Sequence, residues 1–345
     1  MRMTGPDPLF KSAKPLIFAH RGGKGEAPES TEKAILHTAQ HGDVLELDLR
    51  LTKDCEIVLW HGPGMTRTYD RNGRRLDHRD IRDWDWAVLE GNVFVMDPLK
   101  PGEKDDRQQI DHPDLGNERR LLRLAELPAI LTRADQQRVG KGIQEPLGLN
   151  LELKSSKRTD PRFNRDRAYW GRKKIWESFF AFLNAEHSYR PIVLASGKHS
   201  LIKRFRNENS KRGGPQYPTG LSVGEQLAYK SEMKGSKFFS TGNRNLARCF
   251  IKIVGPILRK KKKKDLSKHP FQTSWALASQ TLAKTVHDHG GSLQVFLTKY
   301  PFIASAVDSL PDAELKSELS KLLDMGVDGF MTDYPARVRD ILDNM

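Results

Sequence analysis

Short apolar runs alternate with helical patterns along most of this chain, and this alternation restricts the fold more than any other feature. Eight runs have the composition of β-strands, and most are separated by segments whose apolar residues recur every three to four positions. The runs lie near residues 17, 46, 58, 151, 193, 221, 295 and 329. The helical patterns cover residues 31–41, 170–184, 201–208, 274–289 and 314–325. Repeated βαβ units predict a parallel sheet, and eight strands predict a closed (β/α)8 TIM barrel.

An open, doubly wound parallel sheet is the alternative. No GxGxxG motif opens a helix after a strand, which disfavours the dinucleotide-binding version of that fold. Two polar segments interrupt the alternation, near residues 66–118 and 224–272. Neither has enough contiguous apolar sequence for a core of its own, so we expect both to be rim insertions in a single domain that covers residues 1–345.

The net charge of +14 favours an anionic partner, such as nucleic acid, a lipid surface or a phosphate-bearing substrate. The basic loops lack interleaved aromatic residues, so we expect no specific nucleic acid. Cys55 and Cys249 have no spacing typical of a disulfide framework or a metal site, and no secretory signal or membrane-spanning run is visible. These features predict a cytoplasmic protein with reduced thiols.

Polar side chains stand at the ends of the first four predicted strands. In chain order they are His20 and Arg21, then Glu46 and Asp48, then His61, and then Glu152 and Lys154. Glu46 and Asp48 are two positions apart in a strand, so both point to the same face. Active sites in barrels of this kind are built from the carboxyl ends of several strands. The seven residues are therefore predicted to meet at one site.

Each residue type in this set has a chemical use. Carboxylates that point into one barrel mouth repel each other, and a divalent cation between them removes the repulsion. The three carboxylates, Glu46, Asp48 and Glu152, form an oxygen-ligand set suited to Mg²⁺ or Ca²⁺ rather than to zinc. A histidine pair can act as general acid and base near neutral pH. Arg21 and Lys154 can donate to an anion such as phosphate.

These motifs resemble the glycerophosphodiester phosphodiesterase family, whose pattern runs His-Arg-Gly, Pro-Glu-Asn-Thr, Glu-x-Asp, Thr-Lys-Asp and a second His. The matching residues are His20-Arg21-Gly22, Pro28-Glu29-Ser30-Thr31, Glu46-Leu47-Asp48, Thr52-Lys53-Asp54 and His61. Later matches are Glu152-Leu153-Lys154, Gly326-Val327-Asp328-Gly329 and Thr332-Asp333-Tyr334-Pro335. The departures are Ser30 for the usual Asn, Gly62 for the usual Asp, and Phe296-Leu297-Thr298-Lys299 for Trp-Thr-x-Asn.

The resemblance implies a TIM barrel with a divalent metal held by Glu46, Asp48 and Glu152. It implies His20 and His61 as the catalytic acid–base pair, and Arg21 and Lys154 as the phosphate-binding residues. The implied reaction is metal-dependent hydrolysis of glycerophosphodiesters to glycerol 3-phosphate and an alcohol, in phospholipid and glycerol metabolism. The nucleophile, a glycerol hydroxyl or water, and the division of roles between the histidines stay open.

Two other functions are compatible with the sequence. The apolar stretch Phe250–Leu258 precedes the basic block Arg259–Lys264, and residues 249–264 would suit peripheral contact with an anionic membrane. A lysophospholipase D-like phosphodiesterase that acts on lipid would use such a contact. The second alternative is a non-catalytic anion-binding barrel, which the charge and Gly62 suggest.

Overall fold

The structure is a computed structural model and describes residues 12, 14–62, 64–65, 67–76, 80–99, 116–155, 169–196, 199–215, 217–222, 271–275, 278–288, 291–298 and 306–345. The strands are β1 (Leu16–Ala19), β2 (Val44–Leu51), β3 (Ile57–Leu59), β4 (Thr68–Asp70), β5 (Val93–Val95), β6 (Gly148–Leu153), β7 (Ile192–Ser196), β8 (Thr219–Ser222), β9 (Phe271–Ser274), β10 (Leu293–Phe296) and β11 (Gly329–Thr332). The helices are α1 (Glu32–His41), α2 (Trp86–Leu89), α3 (Leu127–Gly140), α4 (Lys173–His187), α5 (His199–Lys211), α6 (Gln280–His287), α7 (Asp312–Asp324) and α8 (Pro335–Asp343).

Eight strands form a closed parallel barrel in the order β1-β2-β6-β7-β8-β9-β10-β11. The barrel closes because β1 pairs in parallel with β2 on one side and with β11 on the other. Ala19 lies opposite Leu45 in the first pairing and opposite Thr332 in the second. The predicted (β/α)8 barrel is confirmed, and the open doubly wound sheet is wrong.

One strand of the predicted barrel was wrongly assigned. The run near residue 58 is β3, which pairs antiparallel with β2 and lies outside the barrel circuit. The eighth barrel strand is β9, in a region that we expected to belong to an insertion and to the start of a helix. Its residues Gln272, Thr273 and Ser274 are polar yet buried, and Gln272 Nε2 donates to Gln294 Oε1 at 3.1 Å. A strand of buried polar residues has no apolar run, so the pattern that reveals the other strands is missing here.

The leucines of β2 explain how the barrel orients its polar residues. Leu45, Leu47 and Leu49 are fully buried in the largest apolar cluster, together with residues of α1, α3 and α4. Alternation along the strand sends Glu46 and Asp48 to the opposite face, into the barrel. Burial of the leucines against the helices therefore fixes the direction of the two carboxylates.

The first insertion has more structure than predicted. Its described part contains the two-stranded antiparallel sheet of β4 and β5 and, between these strands, the short helix α2. Trp86 is 3% exposed and belongs to an apolar cluster with Val58 and Trp60, against which Trp84 packs. Val58 lies in β3 and Trp60 follows it, so the insertion shares this cluster with residues outside it.

Several predictions lie outside the described residues. They include most of the second insertion, the segment 249–264 with its basic block, and Cys249. Among the described helices, none combines the length and the apolar character needed to cross a membrane.

Candidate active site

The chain makes a strained turn directly after β1. His20–Gly22 form a tight turn in which Arg21 has φ 53° and ψ 32°, a left-handed conformation that is uncommon for a residue other than glycine. The backbone N–H of Arg21 donates to Glu46 Oε2 at 2.9 Å. The turn thus joins the end of β1 to a carboxylate of β2, and such strain is characteristic of functional sites.

The glycines that follow have packing roles. Gly22 and Gly23 both have positive φ, and a Cβ on Gly22 would lie 2.6 Å from Ala34 Cβ in α1. A Cβ on Gly23 would lie 2.7 Å from Pro335 Cγ. The close approach is therefore to α1 and to the start of α8.

The three predicted carboxylates lie together. Glu46 and Asp48 are 2% and 1% exposed, and Glu152 of β6 lies opposite Asp48 in the parallel pairing. One carboxylate oxygen from each residue lies within 4.8 Å of the others. Three oxygen donors at this spacing, without a soft ligand among them, can hold a hard divalent cation.

The electrostatics of the cluster also fit a cation. Burial, followed by the charges of Asp48 and Glu152, raises the pKa of Glu46 well above its usual range. Burial would raise the pKa of Asp48 too, but Lys154, His61 and Arg21 together lower it. Asp48 is buried, and a basic side chain lies beside each of its carboxylate oxygens.

Arg21 and Lys154 lie at the cluster, as predicted. Arg21 Nε is 3.2 Å from Asp48 Oδ2, and Arg21 Nη1 donates to Glu29 Oε2 at 2.8 Å. Lys154 Nζ is 3.0 Å from Asp48 Oδ1 and 2.8 Å from Glu152 Oε1. Arg21 and Lys154 therefore lie beside the carboxylates, where both side chains could donate to an anion bound at the cluster.

The two histidines reach the site by different routes. His20 follows β1, and its Nε2 is 4.0 Å from Glu46 Oε2. His61 follows β3, which runs back along β2, so the chain returns to the level of Asp48, whose carbonyl accepts the N–H of Trp60 at 2.9 Å. We expected His61 at the carboxyl end of a parallel barrel strand. That position was wrong, because β3 is antiparallel to β2. His61 is nevertheless close enough to Asp48 and His20 for their charges to shift its pKa.

Both histidines are neutral at physiological pH. Burial and the nearby Arg21 lower the pKa of His20 to about 4, against the opposing effect of Asp333. Burial lowers the pKa of His61 to about 2. Each ring therefore has one protonated and one unprotonated nitrogen, which is the state needed to accept a proton.

Four further residues support the site and were not assigned roles from the sequence. They are Lys24, Glu29, Asp308 and Asp333. Asp333 Oδ1 is 2.6 Å from His20 Nδ1. Burial alone would raise the pKa of Asp333, but His20 and Lys24 lower it to about 2, so this carboxylate is ionised. Its position directly after β11 is the same signal that identified His20 after β1, and that signal could have revealed it.

The described residues thus form a closed (β/α)8 barrel with a carboxylate cluster, two histidines and two basic side chains at one end. A sequence model of the glycerophosphoryl diester phosphodiesterase family matches residues 20–337. The chain belongs to this family.

Among curated proteins, a glycerophosphodiester phosphodiesterase from Haemophilus influenzae is 34% identical over 110 residues, which cover 30% of each chain. The first four curated relatives are matched over only 26% to 37% of their own lengths. Matches of this extent leave most of each relative unmatched.

Solved structures extend the similarity to the whole fold. A Silicibacter pomeroyi protein that carries the same family name has a TM-score of 0.63 at 19% identity, covering 98% of this chain and 96% of its own. An Oleispira antarctica phosphodiesterase, solved in complex with the product sn-glycerol-3-phosphate, has a TM-score of 0.54 at 15% identity and covers 96% of this chain and 97% of its own. At these identities the similarity establishes the barrel fold.

Proposed function

We propose that the protein is a divalent-cation-dependent phosphodiesterase that hydrolyses glycerophosphodiesters to glycerol 3-phosphate and an alcohol. The observation that carries the proposal is the convergence of three carboxylates, two neutral histidines and two cations at the carboxyl end of the barrel. Family membership and the product bound to the Oleispira protein support this substrate class.

In this mechanism Glu46, Asp48 and Glu152 would hold Mg²⁺ or Ca²⁺, which when bound stabilises the negative charge that grows on the phosphate oxygens. Arg21 and Lys154 bind the non-bridging oxygens and orient the phosphorus atom for attack. One histidine takes the proton of the attacking hydroxyl while the new P–O bond forms. The other histidine, which first takes up a proton from solvent because its resting state is neutral, gives that proton to the leaving alcohol oxygen as the bond to phosphorus breaks.

A turnover screen with purified protein tests this function. Glycerophosphocholine and glycerophosphoethanolamine are incubated with Mg²⁺ or Ca²⁺, and glycerol 3-phosphate and the free alcohol are measured. We expect release of both products, and loss of release with a chelator. The absence of turnover with either cation would support the non-catalytic barrel.

The same screen includes lysophosphatidylcholine, because the lysophospholipase D-like alternative requires choline release from that lipid. The predicted membrane contact through residues 249–264 is measured separately, by sedimentation with anionic vesicles of the full chain and of a variant with neutral residues in place of the block 259–264. Equal sedimentation of the two proteins would remove the reason for this alternative.

A further inference from the structure

Asp333 and His20 lie at opposite ends of the sequence and meet because of strand register. In the parallel pairing of β1 with β11, Ala19 lies opposite Thr332. The residues that follow these two, His20 and Asp333, therefore leave neighbouring strands at the same level. Their side chains meet with His20 Nδ1 2.6 Å from Asp333 Oδ1.

The backbone of Asp333 is held from two sides. Its N–H donates to Asp308 Oδ2 at 2.9 Å, and its carbonyl oxygen accepts the N–H of Gly25 at 2.9 Å. Asp308 is fully buried, and its Oδ2 also accepts the hydroxyl of Thr332 at 2.9 Å. The second carboxylate oxygen of Asp333 pairs with Lys24 Nζ at 3.1 Å. Neither the backbone nor the carboxylate of Asp333 can turn without breaking several of these contacts.

An ionised carboxylate accepts hydrogen bonds and donates none. The short contact with Asp333 therefore places a proton on His20 Nδ1. In the neutral ring this leaves Nε2 with a lone pair, and Nε2 is the atom that lies 4.0 Å from Glu46 Oε2. The other tautomer would place two acceptors, Nδ1 and Oδ1, against each other at 2.6 Å.

We propose that Asp333, backed by Asp308, is a positioning residue that holds His20 in the Nδ1–H tautomer and directs its Nε2 lone pair toward the carboxylate cluster. The effect on turnover rests on the function proposed above, whereas the tautomer itself does not. Partners of this kind around a site typically change activity by about 10- to 100-fold when they are removed.

The same strand offers a matched control. Asp328 precedes β11 as Asp333 follows it, and Asp328 Oδ2 lies 2.8 Å from Nε2 of His287. This second Asp–His pair is at the other end of the barrel, and its side chains are about 40% exposed. Substitution of Asp328 removes an interaction of the same chemistry away from the carboxylate cluster.

The tautomer is measured in metal-free protein by long-range proton–nitrogen correlation spectra of isotope-labelled histidine at neutral pH. The His20 signals are assigned by their absence from the His20→Asn variant. We expect wild-type His20 to carry its proton on Nδ1. In Asp333→Asn this preference should be lost and kcat should fall by about 10- to 100-fold, with a smaller change in KM. Asp333→Glu, which keeps the carboxylate, should recover part of both.

Asp328→Asn should leave the His20 signals and kcat as in the wild type. A wild-type His20 protonated on Nε2 would overturn the proposal, as would an Asp333→Asn variant with unchanged His20 signals and unchanged kcat. Should Asp333→Asn fail to fold by circular dichroism, the wild-type spectrum alone decides the tautomer. Lack of turnover by the wild type, with His20 protonated on Nδ1, would reject the proposed function and leave the tautomer assignment standing.

Discussion

The Nζ atom of Lys154 lies 3.0 Å from Oδ1 of Asp48, within the carboxylate cluster. A lysine at this position neutralises part of the charge that a divalent cation would bind. The same lysine would also donate to a phosphate held by that cation. Lys154 therefore opposes cation binding and favours substrate binding, and these two effects can be separated experimentally.

We expect Lys154→Met to bind Mg²⁺ or Ca²⁺ more tightly than the wild type, by roughly tenfold, because one positive charge beside two carboxylates is lost. Turnover of glycerophosphocholine should fall by about 100-fold or more, because a donor to the phosphate is lost. Isothermal titration calorimetry measures the first effect and product release the second. Lys173→Met is the control, since Lys173 is exposed on α4 and pairs with Glu177. Weaker cation binding by Lys154→Met would contradict this account of the site.

The two histidines should each be indispensable for turnover. His20→Ala and His61→Ala each remove a proton-transfer group and should lower kcat by about 10² to 10⁴-fold. His287→Ala, at the far end of the barrel, serves as the control and should retain wild-type kcat. Near-normal turnover by both variants would show that proton transfer uses other groups.

Alanine substitutions at two glycines with the same backbone conformation allow the cost of backbone strain to be distinguished from the cost of steric overlap. Gly22 has φ 78°, and a Cβ introduced there would lie 2.6 Å from Ala34 Cβ. Gly142 has φ 79°, and a Cβ introduced there would have no atom within 4 Å. An alanine at either position costs about 1 kcal/mol of conformational strain, and Gly22→Ala adds an overlap of about 1–3 kcal/mol. Urea unfolding should therefore show Gly22→Ala to be the less stable variant by that amount. Equal stabilities would mean that α1 moves away freely.

The barrel could be predicted from apolar periodicity, but the identity of its eighth strand could not. Periodicity detects strands whose side chains face helices, as in β2, where leucines alternate with acids. It does not detect β9, where Gln272 is buried against Gln294 and hydrogen bonding replaces apolar packing. It also cannot distinguish a barrel strand from β3, because an antiparallel return has the same local pattern.

The site was more predictable than the strand order. Strand ends and motifs pointed to all seven proposed site residues, and six of them lie in or directly follow parallel barrel strands, whose carboxyl ends meet at one rim. The exception is His61, which follows the antiparallel strand β3. The supporting residue Asp333 was missed as a partner of His20 because their contact depends on β1–β11 register. Register between the first and last strands is a property of barrel closure, which no local pattern encodes.

Asp308 gives the fold a pH dependence whose sign can be worked out. Burial, together with the charge of Asp333, raises the pKa of Asp308 to about 6. The folded protein therefore retains a proton that the unfolded chain, with an aspartate pKa of about 3.9, releases. The contribution of this group to stability is present below about pH 4 and is lost as the pH rises through about 6.

Asp308→Asn removes this titration and keeps an oxygen that can accept from the N–H of Asp333 and the hydroxyl of Thr332. Measured by urea unfolding, its stability relative to the wild type should rise by roughly 1–3 kcal/mol between about pH 4.5 and about pH 8. The comparison across pH cancels any constant cost of the buried amide. Asp324→Asn, at an exposed position at the end of α7, should show no such rise. A relative stability of Asp308→Asn that stays constant with pH would mean that Asp308 is ionised in the folded protein throughout this range.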